Sequence, residues 1–118
     1  MEKEYLQYYN HLKTLMGKLG KEIPNPMSGF VQLHKYAVAE GALNTKIKEL
    51  IALGIGIAVR CDGCIAYHIH DALRAGATRQ EILETIGVAI LMGGGPATIY
   101  GCQALEALEQ FEASGLKN

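Results

Sequence analysis

The sequence predicts an all-α chain of about six helices. Three observations carry this prediction. Apolar residues recur at three- and four-residue intervals along most of the chain, glycines and prolines interrupt those runs about once per helix length, and no segment alternates as a half-buried strand does. With 118 residues and no internal repeat, residues 1–118 are expected to form a single domain around one core.

The elements follow in order. From Glu2 to Leu19 the apolar positions Leu6, Tyr9, Leu12, Leu15, Met16 and Leu19 make one face of a first helix, with Gly20 as its stop. Pro24 and Pro26 read as a linker, and Phe30, Leu33, Ala37 and Val38 then recur in a second helix ending at Gly41. Asn44 is placed to cap a third helix from Thr45 to Val59, whose apolar residues cover almost every direction and predict a central position. Its Ile and Val run could suit a strand, but the length and the interior Gly54 and Gly56 favour a closely packed helix. A turn at Arg60 to Gly63 leads into a fourth helix that runs to Ala75 with Gly76 beyond it. Thr78-Arg79-Gln80-Glu81 is a capping box that opens a fifth helix. That helix ends at Gly93-Gly94-Gly95, and Pro96 opens a sixth that continues to about Ala113.

Composition and charge narrow the function classes. The formal net charge is −1 with scattered Lys and Arg, so no basic stripe exists to neutralise phosphates and nucleic acid is not an expected partner. The N-terminal residues alternate charge with aromatics and have no apolar signal region, which predicts a cytoplasmic protein. The segment from Thr85 to Leu105 carries no charge and is long enough to span a bilayer, but its central glycines and proline break it into two buried helices, so no membrane partner is expected. The same glycines lack the following Gly-Lys-Ser/Thr of a phosphate loop and read as a helix break with tight packing.

Three cysteines are too few for a disulfide scaffold, so the close pair Cys61 and Cys64 points to redox or metal chemistry. Residues three, four and seven apart share a helix face, which puts Cys61, Cys64 and His68 on one stripe of the fourth helix. A cysteine in a first helical turn meets free N–H groups and the positive end of the macrodipole, both favouring thiolate. Cys64 also has His68 one turn away as a proton acceptor, so Cys64 is the expected attacking thiol. Glu49 lies on the preceding helix; in an antiparallel hairpin its level differs from that of His68 by roughly two turns. Contact with His68 is open to it through a crossing angle, and so is the plainer role of a first-turn acid paired with Lys46.

Zinc binding by Cys61, Cys64 and His68 would need a fourth ligand, for which only Cys102 or a distant His is available, and neither a metal nor another cofactor is expected. Haem attachment is excluded because Ile65 follows Cys64. Cys102 is expected in the core, His70 in solvent, and His11 and His34 without a partner visible in sequence.

Glu49, eleven residues, Cys61-x-x-Cys64, three residues, His68 resembles the signature of the alkylhydroperoxidase-D-like branch of the carboxymuconolactone decarboxylase family. The likeness continues through Ala72, Gly76, Thr78 and Glu81 to Gly93-Gly94-Gly95-Pro96-Ala97, covering about Leu43 to Ala104. The resemblance implies an all-helical fold, catalytic roles for Glu49, Cys61, Cys64 and His68, and a thiol-dependent peroxidase with a Glu/His proton relay. It implies a hydroperoxide substrate, an external dithiol or redox-protein reductant, and a homotrimer or homohexamer. A dithiol/disulfide relay with little peroxidase activity is the alternative within redox chemistry, and a metal-binding or structural oligomer the alternative outside it. Two departures stand out: the best-known members of the branch carry His where this chain has Gly63, and the muconolactone-decarboxylating members lack this cysteine pair.

Overall fold

The computed structural model describes residues 3–116, all of whose regular structure is helical: α1 (Tyr5–Glu22), α2 (Pro24–Ala37), α3 (Thr45–Ala58), α4 (Asp62–Arg74), α5 (Arg79–Gly93) and α6 (Gly95–Ala113). Glu2, the expected start of the first helix, lies outside the described residues. Among the described residues no helix is long and apolar enough to cross a membrane.

The predicted caps form. Asn44 Oδ1 accepts the Ile47 N–H at 2.8 Å, and Thr78 and Glu81 exchange both bonds of the capping box. The bond from the Thr78 N–H, then the Lys46 ammonium, hold the Glu81 carboxyl below its ordinary range. Gly94, at φ 74°, separates α5 from α6, and a Cβ on Gly93 would stand 3.3 Å from Ala58 Cα. The glycine run is therefore a break with close backbone approach to α3.

Three boundaries differ from expectation. α1 continues through Gly20 to Glu22, because Gly20 has a helical backbone and the chain turns only at Ile23. Pro24 and Pro26 are no linker: they occupy the first turn of α2, where the N–H that proline lacks would have had no helical partner. α2 consequently starts earlier than the sequence pattern suggests; it also ends at Ala37, short of the expected Gly41.

α3 packs against α4 and α5, α6 closes the other side of α4 and α5, α1 lies across α4 and α6, and α2 leans mainly on α1. The core between them is built from Leu53 and Ile57 of α3, Ile65, Ile69 and Leu73 of α4, Ile82 of α5, and Leu108 and Phe111 of α6. Only one side of α3 is covered, however. Ile47, Ile51, Ile55 and Val59, spaced at four-residue steps, are exposed in the chain by itself, as are Val88, Leu91 and Met92 of α5. A helix apolar all round is thus central on one face and uncovered on the other.

Cys102 is exposed, not in the core. The buried stripe of α6 runs Ala97, Gly101, Ala104, Leu108, Phe111, and Cys102 falls one position, about 100° of helix rotation, off it. His70 is not solvated. Its ring stacks on Tyr9 at 4.1 Å, meets Phe111 edge-on, and Nδ1 contacts Asp71 Oδ1 at 2.9 Å. The cause is α1, which lies over the side of α4 that the helical period alone assigns to water.

Candidate functional site

The site begins with the turn between α3 and α4. Val59 caps α3, Arg60 takes the left-handed conformation at φ 63°, the Cys61 N–H reaches Gly56 O at 2.9 Å and the Arg60 N–H reaches Ile57 O at 3.1 Å. That is a Schellman ending, usually built on glycine. It is built here on Arg60, at a cost of order 1 kcal/mol, and it delivers Cys61 directly to the head of α4.

Cys61 is the N-cap of α4, and its Sγ accepts the Cys64 N–H at 3.2 Å. Cys61 and Cys64 are joined as a disulfide, with S–S 2.05 Å. The spacing that puts both sulfurs on one stripe therefore also puts them within bonding distance. Asp62, between them, pairs with Lys3, whose ammonium lies 4.0 Å from the Tyr8 ring centre. Gly63 is where α1 comes closest: a Cβ there would meet Leu12 Cδ1 at 3.2 Å and the Tyr8 hydroxyl at 3.6 Å. The position that carries His in the best-known members lies under α1 here, so a side chain at it would require Leu12 to shift by a few tenths of an ångström.

Glu49 is the one buried charged residue among the described core, 3% exposed. Its Oε1 lies 2.8 Å from His68 Nδ1. Of the two roles open to it in sequence, the first-turn pair with Lys46 is absent, because Lys46 turns to Glu81 at 3.0 Å. The two-turn difference in level along an antiparallel hairpin is closed by the packing of α3 on α4. A carboxylate only accepts, so the Nδ1 that faces it carries the hydrogen and Nε2 is left as the acceptor nitrogen of His68.

His68, Cys61 and Cys64 open on a cavity of about 390 Å³. Its remaining wall is mostly apolar, with Leu12 and Met16 from α1, Phe30 and Val31 from α2, and Tyr67 from α4. Burial, and after it Asp71, raise the Tyr67 phenol above its ordinary pKa, so it stays a neutral donor. The arrangement offers a disulfide-linked cysteine pair, an imidazole held in one tautomer by a buried carboxylate, and an apolar chamber that lowers the local dielectric.

The structure brings all four residues selected from sequence, Glu49, Cys61, Cys64 and His68, to this one place, and adds two that sequence did not select. His34 and Asp71 also line the cavity, and His34 Nε2 stands 3.9 Å from Glu49 Oε2. Asp71 follows His68 by three residues, a same-face spacing visible in the sequence. For His34, on a different helix, no local signal exists.

Comparison with known proteins gives a consistent picture. A model of the carboxymuconolactone decarboxylase family matches residues 24–107. An uncharacterised protein of Cupriavidus necator is 38% identical over 97 residues, covering 82% of this chain and 86% of that protein. An uncharacterised protein of Haemophilus influenzae is 34% identical over 104 residues, covering 88% and 92%. Among solved structures, the apo form of a carboxymuconolactone decarboxylase family protein from Legionella pneumophila superposes with TM-score 0.88 at 42% identity, covering 92% of this chain and 96% of that one. A family protein from Thermotoga maritima, a candidate participant in antioxidative response, superposes with TM-score 0.72 at 30% identity over 76% of this chain and 93% of that one. With the six-helix fold, the paired cysteines heading α4 and the Glu49–His68 contact behind them, this chain belongs to the carboxymuconolactone decarboxylase family and carries the sequence pattern of its alkylhydroperoxidase-D-like branch.

Proposed function

We propose that the chain is a thiol-dependent peroxidase that reduces hydroperoxides through Cys61 and Cys64 with Glu49 and His68 as its proton relay. The observation that carries this reading is the 2.8 Å contact between His68 and the buried Glu49, placed beside the Cys61–Cys64 disulfide and opening on an apolar cavity. The antioxidative link of the Thermotoga maritima relative agrees with it.

In the dithiol form, His68 Nε2 takes the proton of Cys64, and Glu49 stabilises the resulting imidazolium through Nδ1. The Cys64 thiolate attacks the terminal peroxide oxygen. A sulfur–oxygen bond forms, the O–O bond breaks, and the alkoxide leaves as an alcohol with the proton that His68 returns. Cys61 then attacks the sulfenic sulfur, releasing water and forming the disulfide, and an external dithiol restores both thiols. The uncovered apolar faces of α3 and α5 give the homotrimer or homohexamer implied by family likeness a physical motive.

The test uses Cys64→Ser and Cys61→Ser. Cys64→Ser is expected to lose reaction with peroxide, whereas Cys61→Ser should consume about one equivalent and stop as a sulfenic acid trapped by a dimedone-type probe. Mass spectrometry after brief exposure to an alkyl hydroperoxide reads the outcome. An adduct on Cys61 in the Cys64→Ser protein, with none on Cys64 in the other, reverses the roles. Steady-state consumption with dithiol donors separates the peroxidase from a disulfide relay, which would turn over disulfides while leaving peroxide untouched.

A further inference from the structure

The peroxidase chemistry uses one edge of the Glu49 carboxylate and leaves the other. Oε1 meets His68, whereas Oε2 accepts no hydrogen bond among the described residues and faces His34 Nε2 across 3.9 Å, too far for one. Asp71 completes the group: one ligand-type atom from each of His34, Glu49 and Asp71 lies within 4.8 Å of the others. The three come from α2, α3 and α4, so packing of separate helices brings them together. Among the described residues no Lys or Arg forms an ion pair with Glu49 or Asp71; the groups paired with the two carboxylates are the imidazoles of His34, His68 and His70.

We propose that His34, Glu49 and Asp71 bind a divalent first-row cation of the zinc type. Three atoms no more than 4.8 Å apart share a point within about 2.8 Å of each, so reaching ligand distances of about 2.0–2.2 Å requires inward movements of at most about 0.6–0.8 Å. Two carboxylates and one neutral imidazole supply a charge of −2 to the dication. A nitrogen and two oxygens suit Zn²⁺ better than Ca²⁺ or Mg²⁺, which take oxygen.

The surroundings orient both acids as ligands. His68 Nδ1 fixes Glu49 through Oε1 at 2.8 Å, and His70 Nδ1 fixes Asp71 through Oδ1 at 2.9 Å. His34 and Asp71 line the 390 Å³ cavity, so the remaining coordination positions are within reach of water or of a small oxygen ligand. The site is separate from the Cys61, Cys64 and His68 set weighed for zinc from sequence, since it needs neither sulfur.

The experiment is calorimetric titration of Zn²⁺, with Co²⁺ absorption as a second probe, into Cys102→Ser protein whose Cys61–Cys64 disulfide is intact, so that thiolates take no part. One equivalent per chain is expected. His34→Ala and Asp71→Ala should each weaken binding at least tenfold, with Asp71→Asn as the partner variant if Asp71→Ala fails to fold by circular dichroism. Absence of binding in the parent protein, or affinity that survives either substitution, overturns the site. The titration reads metal on the disulfide-bonded protein, whereas the dimedone test reads sulfur chemistry on the reduced one, so failure of one proposal is distinguishable from failure of the other.

Discussion

Gly56 sets how closely the helix carrying Glu49 approaches the helix carrying Cys64, and Gly56→Ala tests that spacing. A Cβ built there would stand 3.1 Å from Cys64 Cβ and 3.8 Å and 3.9 Å from Cys64 C and Ile65 N. Ordinary carbon contacts are about 3.5–4.0 Å, so α3 and α4 must part by about 0.4 Å or more. Cys64 Cβ cannot rotate out of the way, since it is fixed by the backbone. Overpacking of this kind costs about 1–3 kcal/mol, against a gain of about 1 kcal/mol for replacing glycine by alanine inside a helix. The net expectation is a loss of about 1 kcal/mol, or about 4 °C in Tm for a chain of this size. Gly54→Ala is the control: its Cβ would meet Thr85 Cγ2 at an ordinary 3.5 Å, so the helix gain should dominate and Tm should rise. Thermal unfolding of both oxidised variants at one protein concentration gives the comparison. If Gly56→Ala proves as stable as Gly54→Ala, the α3–α4 contact is not what requires glycine, and the close approach is incidental.

Glu49→Gln keeps the shape of the side chain and removes the charge that stabilises protonated His68. Peroxide turnover should fall by about 10²-fold or more with an altered pH profile and a nearly unchanged Tm, and wild-type kinetics at every pH would remove Glu49 from the relay. Ile55→Asp places a charge in the uncovered apolar stripe of α3, so light scattering should show dissociation of a trimer or larger assembly; an unchanged mass would mean this stripe is not the interface. Burial, then Asp71 and Tyr67, with Arg74 opposing, push the Tyr9 phenol up to about 12, whereas the unfolded chain gives up that proton near 10. Stability is therefore full below pH 10 and is lost as pH rises through about 12, and Tyr9→Phe should make the fall in urea midpoint over that window shallower; identical slopes would show that Tyr9 does not drive it.

Most of the fold was legible because helix boundaries are written locally. Asn44, the Thr78–Glu81 box and the glycine run each act on the few residues around them, and all three stand where the pattern put them. Pro24 and Pro26 show the limit of that logic. Proline forbids a helix interior and favours a first turn with the same ring, and only the following chain decides which applies. Side-chain surroundings were harder, since they depend on which helix arrives from elsewhere. His70 is covered by α1, Cys102 misses the buried stripe of α6 by one position, and His34 comes to Glu49 from α2. Within the site, Cys61, Cys64 and His68 share one helix and could be placed by period alone. Glu49 needed the α3–α4 packing to decide between His68 and Lys46.

The Cys61 sulfur holds two positions at once: it is half of the disulfide, and it is the acceptor that caps α4 through the Cys64 N–H. Reduction changes that acceptor from a neutral disulfide sulfur to a thiol or thiolate, and a thiolate at a helix start is the stronger acceptor and is favoured by the helix dipole. Electron transfer and helix capping are then thermodynamically linked through one atom. Whatever loosens the first turn of α4 withdraws support from the dithiol state and makes the pair harder to reduce, without touching either cysteine. The Cys64 amide reports on this linkage: its hydrogen exchange should be slower in the reduced protein at a pH where the thiolate is populated, and equal rates in both redox states would mean that the cap and the couple are independent.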